Sequence, residues 1–462
     1  MNSVYVWSHR VDYRMPFFIL IVLSMLFFSA NCGHSQETGI DFSKPLTVED
    51  CLRIAMRNAP SMRTAEYALK AAEANVLGAW ANMVPSLSTS VLGYRTTYGP
   101  QDISIVDPTT GRVILQTTST ERFSNYSSRI SYGMSIFDKR NWSNLSRQQA
   151  NEQASRLDVR VTEQDLIYRV KEAYYGLLAY QRLLQVSEET VKSREENLRK
   201  IESMFAVGSR KKADVLKQKV QVQDARASLI QAKNDVVYAR ANLAYTLGIS
   251  IDTPIQIVDV LDIEEPDVDL EESLRYALEN HPNLLKAQAQ VDAAKAYVGY
   301  TKASLWPSLG AGGSYSWGPD DNLSKITDMF NKNYNWSLGL QLSFNIPDVS
   351  TVANIRYAKA ELALTEEQYE ETRGSIALAV KKAFLDLKAA KEIIRAREEE
   401  VASAQEDLRL AEENLRVGGG TALELLDAQV NYTSARSNHV QALYDYKLAL
   451  AQLDKAMGKE ME

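Results

Sequence analysis

The residues best suited to chemistry in this sequence are two carboxylates, Glu424 and Asp427, in the segment "RVGGGTALELLDAQ". In a helix a spacing of three places both side chains on one face. Because charged pairs on exposed helices most often mark only a solvated surface, the pair alone does not predict a site. His439 falls at a core position of a heptad series, and we interpret it as a packing residue rather than a ligand.

Motifs of the common enzyme classes are absent from the sequence. It has no Gly-rich phosphate loop, no nucleophile elbow and no Cys/His cluster with metal-ligand spacing. Four His and two Cys, Cys32 and Cys51, are too few for a metal centre or a disulfide framework. The net charge of −7 provides no basic surface for nucleic acid. The sequence therefore predicts no enzyme activity, no cofactor and no nucleic-acid partner.

The N-terminus has the layout of an export signal. Two arginines precede an apolar run over residues 17–30, which is shorter than the roughly 20 residues of a spanning helix and typical of a signal peptide. We expect a signal peptide over 1–35; the alternative is a lipoprotein signal with acylation at Cys32. No other segment predicts a transmembrane helix, so a mature chain that spans a membrane would do so as a closed barrel.

The chain is an internal duplication. Residues 58–87 align without a gap to 280–309, and "VKEAYYGLLA" at 170–179 corresponds to "VKKAFLDLKA" at 380–389. The offset changes from 222 to 210, so the first copy carries about twelve extra residues, which we place between its strands. Each half is predicted as a helix, two strands and two long helices. The predicted divisions are a first repeat over 36–247, a linker over 248–269 and a second repeat over 270–462.

Hydrophobic residues recur every seven positions in the long segments that follow the strands. One series runs from Val170 to Phe205, its counterpart runs from Val380 to Leu415, and the returning segments carry alanines at companion positions. Sustained heptads with a large-plus-alanine seam predict antiparallel coiled coils. At 1.5 Å per residue the first helix would be about 100 Å long. The predicted helices are about 141–207, 210–247, 351–417 and 421–457.

Between the helices lie four segments in which apolar and polar residues alternate, most clearly "NYNWSLGLQLSFNI". Such segments, with aromatic residues near their ends, are typical of transmembrane β-barrel strands; the alternative is a soluble hairpin packed on the helices. Since about eight strands are needed to close a barrel, four would have to be shared with other chains. The strands are predicted over about 86–99, 125–138, 308–318 and 334–346.

The combination of these features resembles the TolC family of outer-membrane efflux proteins over roughly 46–458. The matching features are the duplicated halves, "NxP…PSL" before the strands, and "VG" helix turns followed by "ADVLKQKV" and "LELLDAQV". The resemblance implies a mainly α fold with a transmembrane β part, completed in a homotrimer as a twelve-stranded barrel and an α-helical tunnel. It also implies an outer-membrane channel of a tripartite efflux or type I secretion system, which conducts passively. A soluble periplasmic coiled-coil adaptor or structural protein is the alternative.

The resemblance also implies partners and site residues. In addition to outer-membrane lipid, the partners would be a periplasmic adaptor protein and an inner-membrane transporter of a Gram-negative-type bacterium. Glu424 and Asp427 match the acidic ring that narrows the periplasmic end, and Asp214 matches a residue that holds the closed state. The arginine partner expected by the family would fall at Gly420, so Arg210, Lys211 or Lys212 would have to substitute. The helix turns expected to dock the adaptor contain Gly208, Arg210, Gly418, Gly419 and Gly420.

Overall fold

The computed structural model of the protein describes residues 44–259, 268–328 and 330–459. The predicted signal peptide and Cys32 lie outside these ranges. Within them, no helix is both long enough and apolar enough to cross a lipid bilayer. The helices are α1 Val48–Asn58, α2 Pro60–Ala81, α3 Lys139–Ala206, α4 Lys212–Leu247, α5 Leu270–Asn280, α6 Pro282–Lys302, α7 Val349–Arg416 and α8 Ala422–Met457. The strands are β1 Ser86–Tyr98, β2 Asp102–Val106, β3 Val113–Thr117, β4 Glu121–Phe137, β5 Ser308–Asp320 and β6 Tyr334–Ser343.

The long helices of the two repeats have equal lengths. Helices α3 and α7 contain 68 residues each, and α4 and α8 contain 36 each. Each 68-residue helix begins after an aspartate that caps it: Asp138 accepts a hydrogen bond from the Arg140 amide at 2.8 Å, and Asp348 accepts one from the Thr351 amide at 2.8 Å. An N-cap carboxylate satisfies amides that have no partner within the helix. The strand-to-helix junction is therefore built in the same way twice.

The helix expected at the start of each repeat is instead two helices. The helix is interrupted at Ala59–Pro60 in the first repeat and at His281–Pro282 in the second. Ala59 and His281 have extended backbone angles. Proline disfavours a helical conformation of the residue before it and suits the first position of the next helix. Both breaks therefore follow from the repeated proline, and they create a corner between α1 and α2 and between α5 and α6.

The last long helix of each repeat ends in a glycine that contacts the corner of the same repeat. Gly248 after α4 and Gly458 after α8 have left-handed backbones, with φ of 71° and 72°. A Cβ at Gly248 would lie 2.5 Å from the carbonyl oxygen of Asn58, and one at Gly458 would lie 2.9 Å from the Cα of His281. Only glycine combines this backbone with so close an approach.

Four of the strands form one antiparallel sheet in the order β1-β4-β5-β6. Strands β1 and β6 are its edges, and neither has a further partner strand in the described chain. Strands β2 and β3 form a separate hairpin within the β1–β4 connection, which is the loop where the extra residues of the first repeat were expected. The sheet thus contains the four predicted strands, and the hairpin adds two that were not predicted.

The two faces of the sheet differ in chemistry. On β6, Trp336, Leu338 and Leu340 alternate with small or polar residues and lie opposite the apolar positions of β5. These side chains are 67–76% exposed. On β4 the alternation is interrupted by register shifts at Tyr126/Ser128 and Ser135/Phe137. As a result Ile136 lies in the irregular end of the strand, and Phe137 pairs with Leu309.

Heptad residues form the core between the helices. Val170, Leu177 and Val380 are completely buried, and the small residues Ala428 and Ala435 of α8 are also buried. Near the helix turns Phe205 is 44% exposed, whereas Leu415 and Leu425 of the second repeat remain buried. At the sheet end of α7, Val349 is 86% exposed, so apolar surface is left uncovered at both ends of the long helices.

Candidate functional site at the helical tips

The helix turns lie at the ends of the coiled coils most distant from the sheet along the chain. Helix α3 ends at Ala206 and α4 begins at Lys212, and α7 and α8 are joined in the same way. Gly208 and Gly418 have φ of 77° and 82°, and no atom would lie within 4 Å of a Cβ at either position. The left-handed backbone alone therefore favours glycine at the two turns.

The two tips contact each other through Arg210. Its Nη2 donates a hydrogen bond of 3.2 Å to the carbonyl oxygen of Gly420. A Cβ at Gly420 would lie 3.1 Å from the backbone nitrogen of Leu415, so the tight turn explains why a small residue stands there. Of the three basic residues predicted to substitute at the tip, Arg210 is the one that reaches Gly420. Its acceptor is a carbonyl group rather than a carboxylate.

Asp214 and Glu424 have the same local role in the two repeats. The amide of Lys211 donates to Asp214 Oδ2 at 3.3 Å, and the amide of Thr421 donates to Glu424 Oε2 at 3.0 Å. Thr421 Oγ1 in turn accepts a hydrogen bond from the Glu424 amide at 3.1 Å. This is a capping box, in which a carboxylate at the third helical position satisfies the N-cap amide. Both carboxylates therefore stabilise the starts of α4 and α8, whatever else they do.

Asp427 has no such role. It lies one turn after Glu424 on the same helical face, and its side chain is exposed. Among the described residues, Asp427 forms no hydrogen bond or ion pair, and none joins Asp214 to Glu424. No group of three or more described His, Cys, Asp or Glu residues is arranged to hold a metal. Within one chain no described contact joins the three predicted carboxylates, and their assembly at one constriction stays a prediction.

A buried polar contact joins α3 to α8 above the tips. Arg194 Nη1 donates to Gln429 Oε1 at 2.7 Å, and Gln218 Nε2 donates to the carbonyl oxygen of Arg194 at 3.5 Å. Burial lowers the pKa of the Arg194 guanidinium. Sequence reasoning missed this pair, although its signal was present: both residues lie three or four positions after a core heptad residue, where an apolar residue is expected.

Two cavities extend along the same seam between α3 and α8. The larger is about 420 Å³ and is lined by Arg182, Arg436 and His439 among others. The smaller is about 180 Å³ and lies beside Arg194 and Gln429. His439, interpreted as a packing residue, is half-buried, and its Nε2 lies 3.9 Å from Glu398 Oε1. The seam between α3 and α8 therefore contains open space beside its polar residues.

Comparison with known proteins places this architecture in a family. The family model described as "Outer membrane efflux protein" matches residues 51–249 and 274–459. Relatives include CyaE of Bordetella pertussis, 31% identical over 60% of this chain, and the outer membrane efflux protein BepC of Brucella suis, 25% identical over 66%. The alignments span 58% and 66% of the lengths of these two relatives, less than two thirds of each. The alkaline protease secretion protein AprF of Pseudomonas aeruginosa is 26% identical over 72% of this chain and 69% of its own.

Solved structures share the fold. The CmeC outer membrane channel of Campylobacter jejuni has a TM-score of 0.75 and 17% identity, covering 89% of this chain and 85% of its own. The outer membrane protein VceC of Vibrio cholerae has a TM-score of 0.74 and 15% identity, covering 89% and 96%. These similarities concern the fold, while the family model covers most of both repeats. The chain belongs to the outer membrane efflux protein family.

Proposed function

We propose that the protein is the outer-membrane channel of a tripartite efflux or type I secretion system and that it conducts its substrates passively. The observation that carries this proposal is the family match over both repeats, combined with a sheet that ends in two unpaired edge strands. In this role the chain binds no nucleotide and carries out no chemistry. The free energy for transport comes from an inner-membrane partner.

The free edges support assembly as a trimer. An unpaired strand edge presents amide and carbonyl groups that must find partners, above all in lipid. If β1 of one chain pairs with β6 of the next, three chains form a closed ring of twelve strands. The exposed Trp336, Leu338 and Leu340 then face lipid, and the small polar face lines the lumen. Closure explains why so apolar a sheet face is left uncovered in one chain.

The helices extend this ring into a tunnel. Because α3 and α7 leave the same end of the sheet and each contains 68 residues, they carry the conduit about 100 Å further. Their equal lengths place the two tips at the same end. We assign this end to the periplasm, where the tips containing Gly208, Arg210 and Gly418–Gly420 dock a periplasmic adaptor.

Asp427 is our candidate for the constriction at the tips, together with Glu424 and Asp214. Threefold symmetry would bring three copies of each carboxylate around one axis, and rings of acidic side chains favour cations over anions. Since Glu424 and Asp214 already cap helices, the exposed carboxylate of Asp427 is the one most available to ions. The Arg210–Gly420 bond holds the two tips of one chain together at this level.

The proposal is tested by measuring assembly and conductance of the purified protein. Native mass spectrometry should give three chains per particle, and planar bilayers should show discrete channels with a preference for cations. Removal of the carboxylates with Glu424→Gln and Asp427→Asn should increase the conductance. A soluble monomer that forms no channels would contradict the proposal and would favour the alternative of a periplasmic adaptor or structural protein.

A further inference from the structure

A single arginine stands in the middle of the polar face of the sheet. Arg129 lies halfway along β4, and the strand register places it beside Ser90 of β1 and Ser316 of β5. Ser316 in turn pairs with Asn335 of β6. The row across all four strands is therefore Ser-Arg-Ser-Asn, and Arg129 is its only long side chain.

The rows between Arg129 and the helices are made of the smallest residues, whereas Leu92 of β1 stands in the row on its other side. The side chains of serine and glycine extend only a short distance from the sheet in these rows. Two of the serines, Ser314 and Ser337, are hydrogen-bonded through their hydroxyl groups at 3.1 Å. An arginine in this setting projects beyond its surroundings instead of packing among them. The two rows next to Arg129 towards the helices contain Ser131, Ser314 and Ser337, and then Gly133, Gly312 and Gly339.

On β4 no opposite charge lies close to Arg129, and the nearby carboxylate of Asp320 on β5 is paired with Lys325 at 2.9 Å. The next charged residue on the same face of β4 is Glu121, eight positions away, or about 27 Å at 3.4 Å per residue. This exceeds the screening length of about 8 Å at physiological ionic strength. The Arg129 side chain is exposed and forms no ion pair with any residue that the structure describes. Arg129 is thus a positive charge without an ion-pair partner among the described residues, in the middle of the polar face.

We propose that Arg129 is a charge-selectivity residue, which forms a basic ring in the barrel and favours anionic solutes or anionic groups of a larger substrate at this level. The inference rests on the proposed function, because three copies share one lumen only in the trimer. A ring of arginines attracts anions by the same physics that makes acidic rings attract cations. The conduit then carries opposite charges at its two ends, acidic at the tips and basic within the membrane.

Arg95 provides a matched control. It lies on β1 and pairs with Ser124, so it projects from the opposite, apolar face of the sheet. Arg95→Gln removes the same charge as Arg129→Gln from the same pair of strands, and it leaves the lumen unchanged. Both substitutions are made in the Glu424→Gln/Asp427→Asn background so that the tips do not dominate ion selectivity.

The measurement is the potassium-to-chloride permeability ratio, taken from reversal potentials in planar bilayers under a potassium chloride gradient. We expect Arg129→Gln to raise this ratio roughly twofold or more, while Arg95→Gln leaves it unchanged. In an Arg129→Cys variant, a thiol reagent carrying trimethylammonium should restore the original ratio, and one carrying sulfonate should raise it further. The thiol of Cys51 is completely buried, and treatment of the same background without Arg129→Cys controls for any reaction at Cys32.

The outcomes separate the two proposals. The selectivity role of Arg129 is overturned if the channels are normal and the permeability ratio is the same for Arg129→Gln and Arg95→Gln. It is also overturned if the two thiol reagents have the same effect. Either result leaves the channel function intact. A complete absence of channels in all variants, including the unsubstituted protein, overturns the channel function and with it this inference.

Discussion

Arg194 of α3 and Gln429 of α8 are joined by a hydrogen bond of 2.7 Å in the interior of the helical bundle. Their side chains are only 5% and 4% exposed. No carboxylate among the described residues pairs with Arg194, so the amide oxygen is the principal acceptor of a buried charge. Burial of a charge is costly unless it is hydrogen-bonded. Loss of this acceptor would therefore leave a buried guanidinium without compensation at the seam between the two repeats.

The Gln429→Leu substitution should destabilise the protein more than Arg194→Met. The first removes the acceptor and leaves a buried guanidinium unsatisfied, at a cost of about 1–3 kcal/mol. The second removes the charge itself and puts an apolar side chain in its place, which is often neutral for stability. Urea unfolding followed by circular dichroism measures the free energy of unfolding of both variants.

Arg226→Met is the control, because Arg226 is exposed and its 2.6 Å ion pair with Glu195 should contribute no more than about 1 kcal/mol. Equal losses from Gln429→Leu and Arg226→Met would contradict the argument.

Removal of the contact between the tips should open the channel. Arg210→Ala abolishes the hydrogen bond to the Gly420 carbonyl, so we expect single-channel conductance to rise roughly twofold. Arg416→Ala serves as the control, since Arg416 lies at the same tip but pairs with Glu413 of its own helix at 2.6 Å. Unchanged conductance in Arg210→Ala would show that the tips are held by other contacts.

The two carboxylates of α8 should have different roles: Asp427 contacts ions, and Glu424 also caps the helix. Asp427→Asn is expected to weaken block by divalent cations without loss of thermal stability, because Asp427 is exposed and makes no capping contact. Glu424→Ala is expected to lower stability by about 1 kcal/mol as well, since it breaks the capping box with Thr421. Asp407→Asn, which removes one exposed charge from α7, controls for net charge. Block that is equally insensitive to Asp427→Asn and Asp407→Asn would move the constriction elsewhere.

His281 should make stability dependent on pH. Its Nδ1 accepts a hydrogen bond from the Asn283 amide at 3.2 Å, which requires an unprotonated nitrogen. Burial, with a smaller contribution from Lys455, holds the pKa of His281 below its ordinary value of 6.5. The unfolded chain therefore binds more protons than the folded one below pH 6.5, and stability is lost as the pH falls through this range.

The substitution that tests this dependence is His281→Asn. Asparagine is also a favourable N-cap residue, so helix α6 keeps its cap while the titrating group is lost. Thermal unfolding midpoints between pH 5 and 8 should fall with acidification in the unsubstituted protein and should change less in His281→Asn. Parallel curves for the two proteins would contradict the role of His281. His439→Asn provides the control for loss of a histidine on α8.

The features that could be predicted from the sequence were those that depend on residues close together in the chain. Heptads and turn glycines placed the long helices, and strict alternation placed β6, whose observed end at Ser343 comes before Pro347. Pro60 and Pro282 were recognised as part of the repeat, yet a break in the helix was not predicted from them. The β2–β3 hairpin was missed because its short apolar strands stand apart from the main sheet.

The candidate site was harder to predict because its contacts join distant parts of the chain. The spacing of Thr421 and Glu424 is a readable capping box, but the sequence alone drew attention to the charge of Glu424 and not to its cap. The Arg194–Gln429 pair depends on which helices become neighbours, and that is decided by the fold as a whole. Arg129 has no unusual sequence context, and its isolation emerges only from the register of three neighbouring strands.

The two free edges of the sheet also determine how mutations behave in a cell that carries two versions of the gene. In the proposed trimer, a chain with a damaged tip keeps intact β1 and β6 edges and would enter the same rings as undamaged chains. With equal amounts of both chains, only about one ring in eight would contain three undamaged copies. We therefore expect tip defects to be dominant, and defects that prevent edge pairing to be recessive.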